Sequence, residues 1–185
     1  MQNTNEQFET VIQLCREVFI NKQKDYGPSW RIMRPETITD QLLIKAKRIR
    51  NLEINKISKI EEGILPEFIG IVNYGLIGLA QLKLGFTDQP DQTPQKSLEW
   101  YDRLIKETKE LMYAKNHDYD EAWRLMRVSS YTDLILTKLN RIKVIENNQG
   151  KVSFSEGIDT NYQDIINYAL FGLIKLTFEP QKENS

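Results

Sequence analysis

The stretches KDYGPSWRIMRPETITDQLLIKAKRIRNLE (Lys24–Glu53) and HDYDEAWRLMRVSSYTDLILTKLNRIKVIE (His117–Glu146) are two versions of one segment. Asp25, Tyr26, Trp30, Arg31, Met33 and Arg34 recur as Asp118, Tyr119, Trp123, Arg124, Met126 and Arg127. Thr39, Asp40, Lys45, Arg48, Ile49 and Glu53 recur as Thr132, Asp133, Lys138, Arg141, Ile142 and Glu146. After a one-residue shift, Glu62, Gly63, Asn73, Tyr74, Gly78 and Leu79 match Glu156, Gly157, Asn167, Tyr168, Gly172 and Leu173. Agreement this long at a fixed spacing marks an internal duplication. The repeats are read as residues 6–85 and 97–178. Residues 86–96 form a linker, following Gly85 as a helix stop and carrying Pro90 and Pro94 among polar residues.

Each repeat reads as three helices. Phe8, Val11, Ile12, Cys15, Val18 and Phe19 fall at helical spacing in the first. Leu42, Leu43, Ala46, Ile49 and Leu52 form the apolar face of a second, with Thr39 or a neighbour as its cap. Ile64 to Leu84 is a third, apolar nearly all round, with Gly70, Gly75 and Gly78 inside it. Glycine costs a helix about 1 kcal/mol against alanine, so three of them point to close helix contact. The second copy repeats the pattern over roughly 98–117, 131–147 and 159–178; a short KVSFS segment (151–155) is the one strand-like stretch. A helix apolar on every side must be buried by other elements. The fold expected is all-α, an internally duplicated helical bundle with its two three-helix repeats packed about a pseudo-two-fold axis, making 1–185 one compact domain.

The 185 residues carry 25 Lys plus Arg against 26 Asp plus Glu, a formal net charge of −1. That balance argues against nucleic acid as the main partner, which needs a basic surface. A small phosphorylated ligand needs only a local basic pocket. Ile64–Leu84 contains Glu67, Asn73, Gln81 and Lys83, so it reads as a buried helix and no membrane partner is expected. The polar, acidic start lacks signal-peptide features, and the lone Cys15 can form no internal disulfide. The expected location is therefore cytoplasmic. Further homo-oligomerisation is compatible with this sequence.

Three groups of repeated polar residues are candidate ligand contacts. In the turn around Asp25, Tyr26, Trp30 and Arg31, and its copy Asp118, Tyr119, Trp123 and Arg124, the aspartates are placed to cap the next turn. Gly27 suits positive φ, and Asp120 tolerates it. The same turn could instead face a ligand, the aromatic stacking on a planar ring and the arginine meeting an anion. Lys45 with Arg48, and Lys138 with Arg141, lie at i, i+3 on one helix face. They fit either an ion-pair network with Glu53, Glu146 or Asp164, or a phosphate site. Asp164, Asn167, Tyr168 and Phe171 share one face of the last helix, where they could hold a metal, read a base edge or form an interhelical polar cluster. The first copy keeps Asn73 and Tyr74 but has Gly70 in place of the aspartate. His117 is the sole histidine, which excludes a His-based metal site or triad, and no P-loop is present.

The K-x-x-D-Y-G-x-S-W run from Lys22 to Trp30, the helical K-x-x-R and the D-I-I-N-Y segment at Asp164–Tyr168 resemble the nucleotide-modification-associated domain 1 family. That family is small, bacterial and phage-borne, and often carries the region in tandem. More distantly the chain is similar to the all-α MazG-like and dimeric dUTPase group, helical bundles that release pyrophosphate with Mg²⁺ held by E-E-x-x-E and E-x-x-D motifs. Here Asn161 stands three residues before Asp164, and Lys138-x-x-Arg141 falls where the first acidic motif is expected. These resemblances imply a nucleotide or similar phosphorylated small molecule as ligand, bound between the repeats. Lys138 and Arg141 would meet phosphate, Tyr119 or Trp123 would stack on the ring, and Asp164 with Asn167 would read an edge or hold Mg²⁺. Nucleoside triphosphate pyrophosphohydrolase activity is one implied outcome. The alternative is a non-catalytic helical interaction module whose repeated polar residues knit the bundle together.

Overall fold

The computed structural model describes residues 3–55, 60–153 and 156–179, with the side chains at 60–62 and 117–119 outside that description. Its elements are α1 (Thr4–Tyr26), α2 (Pro35–Asn55), α3 (Ile60–Leu84), α4 (Pro94–Tyr119), α5 (Val128–Asn147) and α6 (Ile158–Phe178). A one-turn 3₁₀ helix precedes α2 (Ser29–Ile32) and another precedes α5 (Ala122–Leu125). No strand occurs among the described residues; the KVSFS segment falls partly outside them.

Local chemistry sets the boundaries. Asn3 opens α1 with a reciprocal capping box: its Oδ1 accepts from the Glu6 amide at 2.9 Å, and Glu6 Oε2 accepts from the Asn3 amide at 3.2 Å. Gly27 ends α1 at φ 63°, donating its amide to the Gln23 carbonyl. In the second copy Asp120 takes the left-handed conformation at φ 45°, as does Glu121 at φ 56°. The linker is shorter than 86–96, because Thr93 caps α4 through the Lys96 amide and Pro94 takes its first turn. Thr39 is not a cap: α2 starts at Pro35, which places Thr39 inside the helix and wholly buried. Nor does Asp25 cap the next turn, since the first 3₁₀ helix has Pro28 at its N-cap and no side-chain cap bond; the capping expected of Asp118 falls outside the described side chains.

The core is one cluster drawn from both repeats, centred on α3 and α6. The stretch Gly63–Leu84 is long and apolar enough to cross a membrane, yet 72% of its most apolar window is buried inside the bundle. Glycines permit this packing. A Cβ on Gly78 would stand 2.9 Å from Tyr162 Cζ, and one on Gly172 would stand 3.1 Å from Phe68 Cζ. Gly78 and Gly172 are repeat equivalents, as are Phe68 and Tyr162, so these are one contact made twice across the pseudo-two-fold axis. At Gly75 an added Cβ would meet Ile166 Cγ1 at 2.6 Å.

A second pair of contacts obeys the same symmetry. Thr39 Oγ1 donates to Glu146 Oε1 at 2.7 Å, and Thr132 Oγ1 donates to Glu53 Oε1 at 2.8 Å. Tyr162 Oη adds a bond to Thr39 at 3.0 Å that Phe68 cannot reproduce. Burial raises the carboxyls of Glu53 and Glu146 above their ordinary range, and the threonine bonds offset part of that rise.

Two predictions follow from this seam. Gly75→Val or Gly78→Val forces a branched side chain against a buried partner and should cost about 1–3 kcal/mol, read by urea denaturation. A neutral result would mean that the helices are farther apart. For the glutamates, a raised folded-state pKa means that the folded chain keeps a proton the unfolded chain has lost. Their stabilising contribution is therefore complete below the ordinary carboxylate range and falls as pH rises through the raised values. The double variant Glu53→Gln, Glu146→Gln should gain stability over the parent as pH rises from 4 to 8; a pH-independent difference would refute the assignment.

Candidate functional site

The Trp-Arg turns are built as anchors. Trp30 is buried and its Nε1 donates to Ser97 Oγ at 2.9 Å. Arg31, only 2% exposed, donates from Nε to Asp91 Oδ1 at 2.7 Å and from Nη1 to the Gln81 side-chain oxygen and the Gly85 carbonyl. This charge-assisted bond holds the Asp91 carboxyl below its usual range. Gln81 Nε2 closes the turn against the carbonyls of Trp30, Arg31 and Met33, at 3.0, 3.0 and 2.8 Å. In the second repeat Lys175 holds the same place, donating to the carbonyls of Arg124 and Met126 at 2.9 and 2.5 Å. Trp123 stacks on Phe171 with centroids 4.6 Å apart. Arg124 binds Glu121, Glu179, Thr4 and Gln7 at 2.7–2.9 Å. Both arginines are thus committed to fixing chain segments, and Trp123 to the core. The side chains of Asp118 and Tyr119 lie outside the described residues, while Asp25 is exposed beside the turn.

The helical cations do find carboxylates, but different ones in each half. Lys138 Nζ donates to Asp164 Oδ2 at 2.7 Å, and Lys115 donates to Asp164 Oδ1 at 3.0 Å. In the first repeat Arg48 binds Glu67 Oε1 at 2.5 Å, and Lys45 stands 3.6 Å from Glu67 Oε2. Glu67 aligns with Asn161 and Gly70 with Asp164, so each repeat retains one inward carboxylate, one turn apart. Glu53 and Glu146, expected as partners of these cations, bind the threonines across the two-fold axis instead. Arg141 has no described ion pair and lines a surface groove of about 740 Å³ with Asn140, Glu156 and Asn161.

The two asparagines also diverge. Asn73 accepts from Tyr101 Oη at 2.8 Å and donates to the Cys15 carbonyl at 3.1 Å. Asn167 is as deeply buried, and its Oδ1 has no protein partner. The residue aligned with Tyr101 is Phe8, which has no hydroxyl to offer. Tyr168 packs among Tyr131 and Phe171, and burial raises its phenol above the ordinary value. Tyr74 lies under Lys45, whose ammonium is 5.5 Å from the ring centroid.

Between the halves, α3 and α6 meet at the glycine contacts. One cavity is the groove beside Arg141. Another, of about 380 Å³, lies along α4 at Lys96, Glu99, Trp100 and Arg103. A third, about 200 Å³, sits between the end of α1, the first 3₁₀ turn and α3. It gathers Lys22, Gln23, Tyr26, Trp30, Asn73 and Tyr74, with Gly70 at its wall. Sequence reading passed over Lys22, Gln23 and Glu67 as site residues. Lys22 carried a usable signal, because Lys22-x-x-Asp25 recurs as Lys115-x-x-Asp118.

The arrangement can bind an anion and a planar or apolar group side by side, through lysines on one side and aromatic faces on the other. No curated protein and no solved structure matches the chain. A family model described as nucleotide modification associated domain 1 matches residues 22–82 and again residues 115–176. The two matches coincide with the two repeats and cover more than half of the chain, which belongs to the nucleotide modification associated domain 1 family.

Proposed function

We propose that this protein binds a nucleotide or a similar phosphorylated small molecule within a repeat rather than between the repeats. The observation that carries this reading is the cavity that places Lys22 beside Trp30, Tyr26, Asn73 and Tyr74. Phosphate is met well by lysine, an aromatic face accepts a base, and an amide can read its edge. The family description supports a role connected with nucleotide modification.

Pyrophosphohydrolase chemistry would add a demand for several carboxylates around one Mg²⁺. Among the described residues no three His, Cys, Asp or Glu side chains come together. The inward Glu67 and Asp164 are each engaged by two cations. These residues do not fit a protein-held Mg²⁺, so the proposal is one of binding, with Mg²⁺ accompanying the ligand's phosphates. The paired cations of the second repeat favour a scaffolding role for that half. The interaction-module alternative extends that role to the whole chain.

A thermal-shift panel of nucleoside mono-, di- and triphosphates, each with and without Mg²⁺, tests the proposal. A ligand at about 100 times its Kd adds ~2.7 kcal/mol. For a chain of this size that corresponds to a rise in Tm of about 5–11 °C. A flat panel on folded protein would overturn nucleotide binding and leave the interaction module.

A further inference from the structure

The two repeats differ at one position in a way that identifies which half is open to a ligand. In the second repeat the Asp164 carboxylate joins Lys115 and Lys138, one oxygen to each. The first repeat keeps both cations, as Lys22 and Lys45, but has Gly70 at the carboxylate's position. A Cβ built there would lie 2.9 Å from Lys45 Cδ and Cε and 3.1 Å from Nζ, so the Lys45 side chain runs across this position. Lys45 is 3.6 Å from Glu67, beyond hydrogen-bond distance, while Glu67 takes the short bond from Arg48. Gly70 and Lys22 both line the 200 Å³ cavity.

A second observation points into the same cavity. Gln23 is 8% exposed and lines it, yet its Oε1 has no hydrogen-bond partner. A buried acceptor without a donor is uncommon in a folded protein. At the equivalent place in the second repeat Asn116 makes an internal contact with Met112 Sδ at 2.9 Å. The first repeat therefore lacks an anion between two lysines and a donor for a buried amide oxygen. In the second, the corresponding lysines are satisfied from within, while Asn161 Oδ1 and Asn167 Oδ1 are its own buried acceptors without a partner.

We infer that the first repeat is the ligand-binding half and the second is its internally filled copy. The ligand's anionic group takes the place of the Asp164 carboxylate, between Lys22 and Lys45, and a ring bearing an N–H enters the cavity against Gln23 Oε1, Trp30 and Tyr74. The volume is below the ~300–1,000 Å³ of pockets for drug-sized ligands, which selects a one-ring base. The identity of the ring rests on the nucleotide reading above; the anion's position rests on the repeat comparison alone.

Isothermal titration of the full chain with uridine 5′-monophosphate, guanosine 5′-monophosphate and phenyl phosphate tests this. Uridine monophosphate should bind with one site per chain. Lys22→Ala, an exposed position that leaves the fold intact, should weaken it about tenfold or more. Gly70→Asp should do the same by supplying an internal carboxylate, and Lys115→Ala should leave the affinity unchanged. Nucleotide binding that ignores Lys22→Ala, or is lost in Lys115→Ala, overturns the choice of half while nucleotide binding stands. Preference for the guanosine nucleotide overturns the one-ring limit. Phenyl phosphate binding that depends on Lys22, with no nucleotide bound, keeps the anion site and refutes the nucleotide reading. Absence of binding by all three overturns the inference.

Discussion

The close approach of α3 and α6 governs this structure. Two helices apolar on nearly every face can be buried together only if they come close enough to exclude water. Gly78 against Tyr162 and Gly172 against Phe68 supply that approach at two symmetry-related points. Because each contact seats a ring on a bare backbone, the register is specified. Sliding one helix by a turn, about 5.4 Å, would bring a side chain onto each ring. With α3 and α6 fixed, α2 meets α5, and the crossed bonds Thr39–Glu146 and Thr132–Glu53 become possible.

Within this frame the halves solve equal structural problems with unequal chemistry. The carbonyls of the Trp-Arg turn need a donor, which is an amide from Gln81 in one half and an ammonium from Lys175 in the other. The inward cations need a carboxylate, placed at position 67 in one half and at 164 in the other. The second choice has a spatial consequence that the first does not. At 164 the carboxylate stands between the lysines, whereas at 67 it neutralises the helix face from one turn away and leaves Gly70 covered by the Lys45 side chain alone.

The duplication, the helix count and the apolar faces were legible because identity and periodicity are properties of neighbouring residues. The roles of Trp30 and Arg31 were not. Their partners Ser97, Gln81 and Asp91 lie at least fifty residues away, and nothing local distinguishes an anchor from a ligand contact. Thr39 illustrates the same limit: a threonine near a helix start fits a cap, and only the packing of α2 on α5 turns its hydroxyl toward Glu146. Pseudo-two-fold symmetry suggests a shared central site, whereas at the centre of the bundle the glycines let α3 and α6 meet directly. The Glu67/Asn161 and Gly70/Asp164 exchange was partly visible, since the loss of aspartate at Gly70 is plain in the alignment. Its complement at Glu67 is not legible in the same way, because Glu67 aligns with Asn161, a residue of different charge one turn away.

The placement of Glu67 also bears on how a half with the proposed anion site remains folded. Buried or half-buried cations without a counter-charge are costly, and an anion site must tolerate them when empty. The second repeat avoids the difficulty by carrying its own anion at Asp164. In the first, Glu67 takes its short bond from Arg48 and leaves Lys45 at 3.6 Å, close enough for electrostatic attraction but without a hydrogen bond. Lys45 is thereby stabilised against expulsion yet keeps its donors for another acceptor. An arriving anion need not break the Arg48–Glu67 pair, so binding would cost little rearrangement of the helix face. Residue 67 serves the fold, and its distance from residue 70 is what the proposed anion site requires.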